Sequence, residues 1–173
     1  MTTDETPVIH VKQLVVEVDY SQVYLADEGY VAGSFEDTPN PPVGVIRVEK
    51  GIASLAVGPQ WGPVDFTVAV ADRDPGTEFD GYEDIVEISY ESPTGRLSLL
   101  EWGGANTHPL PPLPAGPHTY RVRYHMRGMD EEVAMEVGDH YFLQVWPEPP
   151  RAPTVLKSTS SSFQYWLDSQ RDS

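Results

Sequence analysis

The sequence contains no cysteine. This absence excludes disulfide bridges, thiolate metal sites and cysteine nucleophiles, and it agrees with a cytoplasmic protein. No apolar run approaches the roughly 20 residues that a helix needs to cross a bilayer, so no membrane partner is expected. The first seven residues are acidic and polar. We therefore predict a disordered lead over residues 1–7 and no secretory signal.

Positive charge is also scarce. Eleven Lys and Arg residues stand against twenty-seven Asp and Glu residues, which gives the 173-residue chain a formal net charge of −16. Such a surface disfavours binding to phosphates, so we expect no direct contact with nucleic acid. The same charge suits a soluble protein, and it also suits docking to a basic protein partner.

Motifs for catalysis are missing as well. The chain has no Gly-x-Ser-x-Gly elbow, no phosphate-binding glycine loop and no dinucleotide fingerprint. Its five histidines form no paired zinc motif. We therefore predict a non-enzymatic protein without a cofactor. An enzyme with an unrecognised pair of carboxylates stays open as an alternative.

The clearest element that is present is a strand over residues 119–127. Its apolar and aromatic residues alternate with polar ones, and successive side chains of a strand point to opposite faces. The polar face carries Arg121, Arg123, His125 and Arg127. A second run over residues 141–146 is apolar on both faces and is predicted to return as the other half of a hairpin.

Further alternating runs are separated by the fourteen glycines and seventeen prolines. We predict strands over residues 8–24, 43–49, 52–57, 64–71, 86–91 and 97–102, with a hairpin between the second and third and pairing between the last two. This spacing predicts an all-β protein, an antiparallel β-sandwich of the immunoglobulin-like or C2-like kind, over residues 8–150. The turn at Ala115 and Gly116 before Tyr120 is typical of a late strand in immunoglobulin-like sandwiches.

Residues 151–173 are predicted to form a tail with a short helix. Serines at 160–162 can cap the helix, and Phe163, Trp166 and Leu167 share one face of it. Because about two turns of helix need a surface to pack on, we expect the helix to dock on its own domain. A peptide that binds a partner is the alternative.

The face with Arg121, Arg123, His125 and Arg127 has two interpretations. In the first, its cations pair with acids on adjacent strands and simply stabilise the sheet. In the second, the planar guanidinium groups bind a carboxylate, a phosphate or an acidic partner. The second interpretation makes these four residues candidates for partner binding.

An acidic loop over residues 72–84 is a candidate metal site. Asp72, Asp74, Asp80 and Asp84 are candidate ligands for calcium, which prefers oxygen ligands. The spacing does not match an EF-hand, and a solvated acidic loop is the alternative. A β-sandwich that binds calcium or a small ligand is therefore the second functional hypothesis.

Several short motifs together resemble the competence protein J family, small inhibitors of a bacterial DNA-entry nuclease. They are an aromatic-rich step over residues 20–24, Gly29-Tyr30 followed by residues 33–36, the strands over 64–70 and 85–91, and Leu113, Pro114 and Gly116 before Tyr120. The similar region covers most of residues 8–127. The proline-rich crossing and residues 130–173 depart from the family pattern.

The resemblance implies a bacterial binding protein that occludes a nuclease or a toxin, as an inhibitor or an immunity protein. A net charge of −16 can imitate the phosphate array that a basic nuclease cleft binds. Exposed aromatic residues would anchor the centre of such an interface, and Tyr30 and Trp61 are the candidates, together with Trp102 and Trp146. Ordinary packing in the core is the alternative for these aromatics.

Overall fold

Alternating residues form strands along most of the chain. The computed structural model describes residues 9–30, 43–58, 61–101, 106–128, 140–161, 163–165 and 168. Its strands are β1 (Ile9–Asp19), β2 (Gln22–Asp27), β3 (Ile46–Glu49), β4 (Ile52–Ala56), β5 (Trp61–Ala71), β6 (Asp84–Ser92), β7 (Leu97–Leu100), β8 (Thr107–Pro109), β9 (His118–Arg127), β10 (His140–Pro147) and β11 (Thr154–Ser158). A 3-10 turn, Phe79–Gly81, precedes β6. The lead predicted over residues 1–7 lies outside the described residues.

The strands form one hydrogen-bonded sheet in the order β11-β6-β9-β10-β5-β1-β2-β4-β3, with β7 paired to β2 and β8 paired to β7. The sheet curls into a half-barrel around one apolar core. The all-β prediction is confirmed, whereas a sandwich of two separate sheets is not.

One pairing departs from the antiparallel arrangement that the sequence predicted. Strands β5 and β10 run parallel, with Phe66 opposite Tyr141 and Val68 opposite Leu143. A parallel pair needs a long connection, and the whole of β6 to β9 lies between these two strands. The predicted hairpin between β9 and β10 is antiparallel, as expected, and so is the β3–β4 hairpin.

The prediction that residues 86–91 and 97–102 pair with each other is wrong. Strand β6 pairs with β9 and β11, whereas β7 pairs with β2 and β8. The buried carboxylate of Asp27, at the end of β2, explains the difference. It accepts hydrogen bonds from Tyr90 Oη at 2.6 Å, from Ser92 Oγ at 2.7 Å and from the Thr94 N–H at 2.9 Å. These bonds hold the β6–β7 turn against β2.

The run over residues 8–24 was predicted as one strand, but from residue 9 onward it belongs to the hairpin of β1 and β2. Tyr20 and Ser21 both have a φ of 57°, and Asp19 pairs with Gln22 across them. Two central residues with positive φ make a type I′ turn, which usually contains glycine or asparagine. No turn signal marks this point in the sequence, because Tyr and Ser are unusual at these positions.

The tail packs on the sheet. Strand β11 lies within residues 151–173 and pairs with β6, so this strand of the tail extends the sheet. Helical residues follow at 161, 163–165 and 168. Ser160 Oγ accepts the Phe163 N–H at 3.1 Å, as an N-cap does, and Phe163 is fully buried. Among the described helical residues, Phe163 packs in the core and Tyr165 is exposed; Trp166 and Leu167 lie outside the described residues.

A tyrosine corner starts β9. Tyr120 Oη donates to the Gly116 carbonyl at 2.7 Å and accepts the Ala115 N–H at 3.1 Å. This is the arrangement expected from the turn and tyrosine in the sequence. Tyr120 is itself fully buried, so the corner fixes the entry of β9 into the core.

Candidate protein-binding surface

The outer face of β1 and β5 exposes large apolar side chains. Along β1, Val16 and Val18 point inward and are buried, whereas Val11 and Val15 point outward and are 59% and 54% exposed. Trp61, at the start of β5, is 69% exposed. These large apolar side chains share one sheet face, where Gln13 and acidic residues lie between them, and exposed apolar side chains grouped on one face are typical of an interaction site. We call Val11, Val15 and Trp61 the apolar row.

Acidic side chains border the apolar row. Asp19 lies opposite Trp61 in the β1–β5 pairing, and Asp65 lies opposite Val15. Glu17 is exposed on the same face. An apolar centre with a charged rim is the usual composition of a protein interface, and here the rim is negative. This arrangement suits a partner with Lys or Arg around an apolar patch.

A surface depression of about 400 Å³ lies beside the apolar row. Gln13, Val15, Asp65, Thr67 and His140 contribute to its lining. His140 Nδ1 lies 3.6 Å from Asp65 Oδ2, and both side chains are more than a third exposed. The depression can accept a side chain of a partner, and its Asp65 carboxylate favours a cationic one.

Arg121, a predicted contact residue, is fully buried. Its Nε donates to Glu87 Oε1 at 2.9 Å, and its other nitrogens donate to Ser89 Oγ and to the carbonyls of Arg151 and Ala152. The segment before β11 therefore covers this guanidinium. All of these partners lie in the same chain.

Arg123 is buried in the same network. Its Nε donates to Glu87 Oε2 at 2.7 Å, and its two terminal nitrogens lie 2.9 Å from the two oxygens of Asp74. Nη1 also donates to Gln144 Oε1 at 2.7 Å, and the guanidinium lies 4.5 Å from the ring centre of Trp146. Hydrogen bonding from Arg123 holds the pKa of Asp74 below its ordinary value. This geometry favours pairing with acids on adjacent strands over contact with a partner.

His125 is also fully buried. Its Nε2 accepts the Glu78 N–H at 3.2 Å, and its Nδ1 faces the Phe142 carbonyl at 3.1 Å. One nitrogen must accept and the other must donate, so these neighbours suit the neutral imidazole. Burial lowers the pKa of His125 to about 4.

Arg127 and Tyr30 are less buried than Arg121, Arg123 and His125. Arg127 is exposed at the end of β9, where it donates to the Gly81 carbonyl at 3.3 Å and lies over the Tyr82 ring at 5.5 Å. Tyr30 is partly buried and packs against Gly51, where a Cβ would lie 2.2 Å from the tyrosine ring. Trp146 is buried, and Trp102 lies outside the described residues.

The four aspartates of the predicted metal site lie in different settings. Asp74 binds Arg123, and Asp84 is buried, where it accepts the N–H groups of Thr159 and Ser160 at 2.9 and 3.1 Å. Asp72 lies beside Arg73, and Asp80 is exposed in the 3-10 turn. Across the part of the chain that the structure describes, no group of three or more Asp, Glu or His residues is placed to hold a metal ion. Calcium binding by this loop stays a prediction.

Of the apolar row, only Trp61 was predicted from the sequence as a binding residue. The available signal was Val15, which shares the outward face of β1 with Gln13, Glu17 and Asp19. A single apolar residue on an otherwise polar face is common in ordinary strands, so it does not indicate a binding surface. No helix in the described ranges combines the length and apolar composition needed to cross a membrane.

No family model matches the chain, and no curated protein matches it in sequence. In structure it is similar to ComJ from Bacillus subtilis, an inhibitor of the DNA degrading activity of NucA, with a TM-score of 0.62 and 11% identity over 82% of this chain and 99% of ComJ. It is also similar to the product of crocagin biosynthetic gene J, with a TM-score of 0.56 and 18% identity over 82% of this chain and 99% of the other. The resemblance to the competence protein J family is thus supported at the level of the fold.

Proposed function

We propose that this chain is a non-enzymatic protein-binding domain that inhibits a nuclease by covering it. The observation that carries the proposal is the exposed Trp61 at the end of an apolar row with a negative rim. The fold is shared with ComJ, which inhibits the DNA degrading activity of NucA. A basic partner with an apolar patch is the complement of this surface.

Burial of apolar side chains and attraction between opposite charges both favour such a complex. Burying the apolar row in an interface supplies affinity, because exposed tryptophan is the residue type most often found to dominate binding energy. The net charge of −16 supplies speed and selectivity, because it attracts a basic protein over a Debye length of about 10 Å at 0.1 M salt. A nuclease that binds DNA phosphates carries the required positive surface.

Within this proposal Trp61 is the anchor, and Arg127 and Tyr30 are peripheral. Arg121, Arg123 and His125 are buried under the segments that cover the outer face of β9 and make no contact of their own with the partner. An immunity protein against a nuclease toxin would use the same chemistry toward a different nuclease. The identity of the captured nuclease distinguishes these two roles.

The test is inhibition of DNA degradation by purified nucleases. NucA is one test enzyme, and the others are nucleases that the immobilised chain captures at low salt from its source organism. We expect activity to fall in proportion to added chain and to reach its minimum near equimolar amounts. The complex should weaken steeply between about 0.05 and 0.5 M salt. The chain leaving every tested nuclease fully active would overturn the proposal.

Trp61→Ala identifies the anchor. We expect a loss of affinity of about thirtyfold, the effect of an aromatic hot spot. Tyr165→Ala is the matched control, because Tyr165 is 67% exposed and lies in the helical segment after β11, outside β1 and β5. Arg127→Glu tests the arginine contact without touching the buried network, and we expect less than about a threefold change from it.

A further inference from the structure

In the described part of the chain, β3, β8 and β11 have one side without a backbone partner, and β1 has one side that is paired only at its end. Proteins protect such edges with short strands, prolines, charges or bulges, because an open edge pairs with other chains. Strand β3 has four residues, and β8 has three and ends at Pro109. Strand β11 has five, with an irregular register between Val155 and Lys157. These three edges are therefore protected.

Strand β1 is the least protected of the four, although Lys12, Glu17 and Asp19 give it charges. It has eleven residues, contains no proline, and pairs with β5 along its whole length. On its other side it pairs with β2 only at Asp19 and Gln22, where the hairpin turns. Beyond that turn β7 takes the place beside β2, with Leu100 opposite Tyr24, so β2 and β1 separate. Within the described ranges, no strand is paired through its backbone with most of this edge of β1, although the Lys12 side chain donates to the Pro109 carbonyl of β8 across it.

The backbone groups on this edge point outward. Glu17 donates its N–H to Glu101 Oε2 at 3.1 Å, which shows that this N–H points away from β5. Backbone direction alternates along a strand, so the N–H and C=O groups of Val11, Gln13 and Val15 point the same way. The side chain of Glu101 takes the place of a strand partner at one position. The next three outward-pointing residues offer a ladder for another strand.

We propose that the partner adds an extended segment to the free edge of β1, with apolar side chains opposite Val11 and Val15 and a Lys or Arg opposite Glu17. This inference rests on the proposed function and names the surface and the mode by which it acts. Backbone hydrogen bonds would supply general affinity, and the outward row of side chains would supply selectivity. The exposed apolar row continues the same face onto β5.

The negative charge of the chain favours a cationic segment over a second copy of the chain at the edge of β1. A second copy of this chain could use the same edge symmetrically, but each copy carries a net charge of −16, and like charges oppose association. Glu17 and Asp19 lie on the outward face at one end of β1, and Asp65 lies on β5 beside them. A cationic segment lowers this local repulsion, whereas an acidic one raises it.

The test uses a synthetic peptide, Lys-Thr-Lys-Thr-Val-Thr-Thr-Thr-Val, designed to pair antiparallel to β1. Hydrogen exchange measured by NMR should show the N–H groups of Val11, Gln13 and Val15 exchanging about tenfold more slowly with saturating peptide. The amides of Leu14 and Val16, which already face β5, should change much less. The same peptide with Glu for Lys, or with Pro for the central Val, should give no protection.

Two variants test the edge in the protein. Gln13→Pro removes an outward N–H that β5 does not use, so the fold should survive while strand addition is blocked. Val15→Lys adds a charge on an exposed position and repels a cationic segment, so it provides an independent test should Gln13→Pro fail to fold. Both should lower affinity for the peptide and for an inhibited nuclease by about tenfold or more.

The outcomes separate the inference from the proposed function. Protection of the β1 amides without inhibition of any nuclease would support the edge and overturn the function. Inhibition by wild type, Gln13→Pro and Val15→Lys alike, with no amide protection, would support the function and overturn the edge. A wild-type dimer in sedimentation that Val15→Lys dissociates would also overturn the inference, because the edge would then be occupied by a second copy.

Discussion

Arg123 on β9 donates from Nε to Glu87 Oε2 on β6 across 2.7 Å, and both side chains are buried. The other oxygen of Glu87 accepts Arg121 Nε at 2.9 Å and Arg151 Nη2 at 3.1 Å. One buried carboxylate therefore holds three guanidinium groups. Buried charges are stable only while they are paired, so this carboxylate ties β9, β6 and the segment before β11 together.

Glu87→Gln should lower the free energy of unfolding by about 3 kcal/mol, because it removes the buried charge that Arg121 and Arg123 share and leaves them only Glu148 and Asp74 as acidic partners. Urea unfolding followed by tryptophan fluorescence measures the loss. Glu91→Gln, an exposed change on the same strand, is the control and should stay within about 0.5 kcal/mol of wild type. Equal stability of the two variants would contradict the structural role given to Glu87.

His125 should make the protein less stable in mild acid. Burial, the largest cause, lowers its pKa from 6.5 to about 4, so between these values the unfolded chain binds a proton that the folded chain does not. Stability is therefore fully present above about pH 6.5 and falls as the pH drops toward 4, by about 3 kcal/mol in total. Hydrogen bonds from Arg123 and His108 lower the pKa values of Asp74 and Glu101, which adds a further loss at lower pH.

The check on His125 is urea unfolding of wild type and His125→Gln at several pH values from 7.5 to 4.5. Glutamine can donate and accept at similar positions, but it does not titrate. We expect the variant to show a flatter dependence of stability on pH across this window. Parallel curves for the two proteins would assign the acid sensitivity to other groups.

Ser21→Gly should stabilise the β1–β2 hairpin by about 0.5–1 kcal/mol. Ser21 has a φ of 57°, a region where a side chain costs energy and glycine does not. The gain is limited because glycine also gives the unfolded chain more freedom. Ser21→Val provides the opposite test, since a β-branched residue is strained at positive φ and should lower the melting temperature. A gain from both substitutions would contradict the type I′ turn.

Tyr120→Phe should destabilise the protein by about 1–3 kcal/mol. The hydroxyl accepts the Ala115 N–H and donates to the Gly116 carbonyl, so its loss leaves two backbone groups without that partner. The ring and its packing stay in place, which isolates the hydrogen bonds. The difference in chemical denaturation between wild type and variant measures their contribution. An unchanged unfolding midpoint would show that the corner is dispensable.

The strands were predictable where alternation was strict. The pattern of residues 119–127 and the turn before Tyr120 located β9 and its entry, and residues 64–71 located most of β5. Pairing between distant strands was not predictable, because it depends on contacts such as those of Asp27 with Tyr90 and Thr94, which lie far apart in sequence. The break between β1 and β2 was missed because Tyr20 and Ser21 adopt positive φ without a glycine signal.

The candidate site was predictable only in part. Trp61 was named, and it is exposed, but nothing in the sequence distinguishes an exposed tryptophan from a buried one such as Trp146. The polar face of β9 was located correctly. The burial of this polar face depends on β11 and on Glu87. The alternation of residues along one strand does not show which other segments cover its outer face. Net charge predicted a basic partner but not the surface that would meet it.

The most direct measurement is the residual DNA-degrading activity of a captured nuclease against the molar ratio of added chain, for wild type, Trp61→Ala and Tyr165→Ala. We expect wild type and Tyr165→Ala to abolish activity near equimolar amounts, and Trp61→Ala to require about thirtyfold more protein at a nuclease concentration near the dissociation constant. Full activity with a large excess of wild type would contradict inhibition. Equal titration curves for all three proteins would contradict the role of Trp61 and its apolar row.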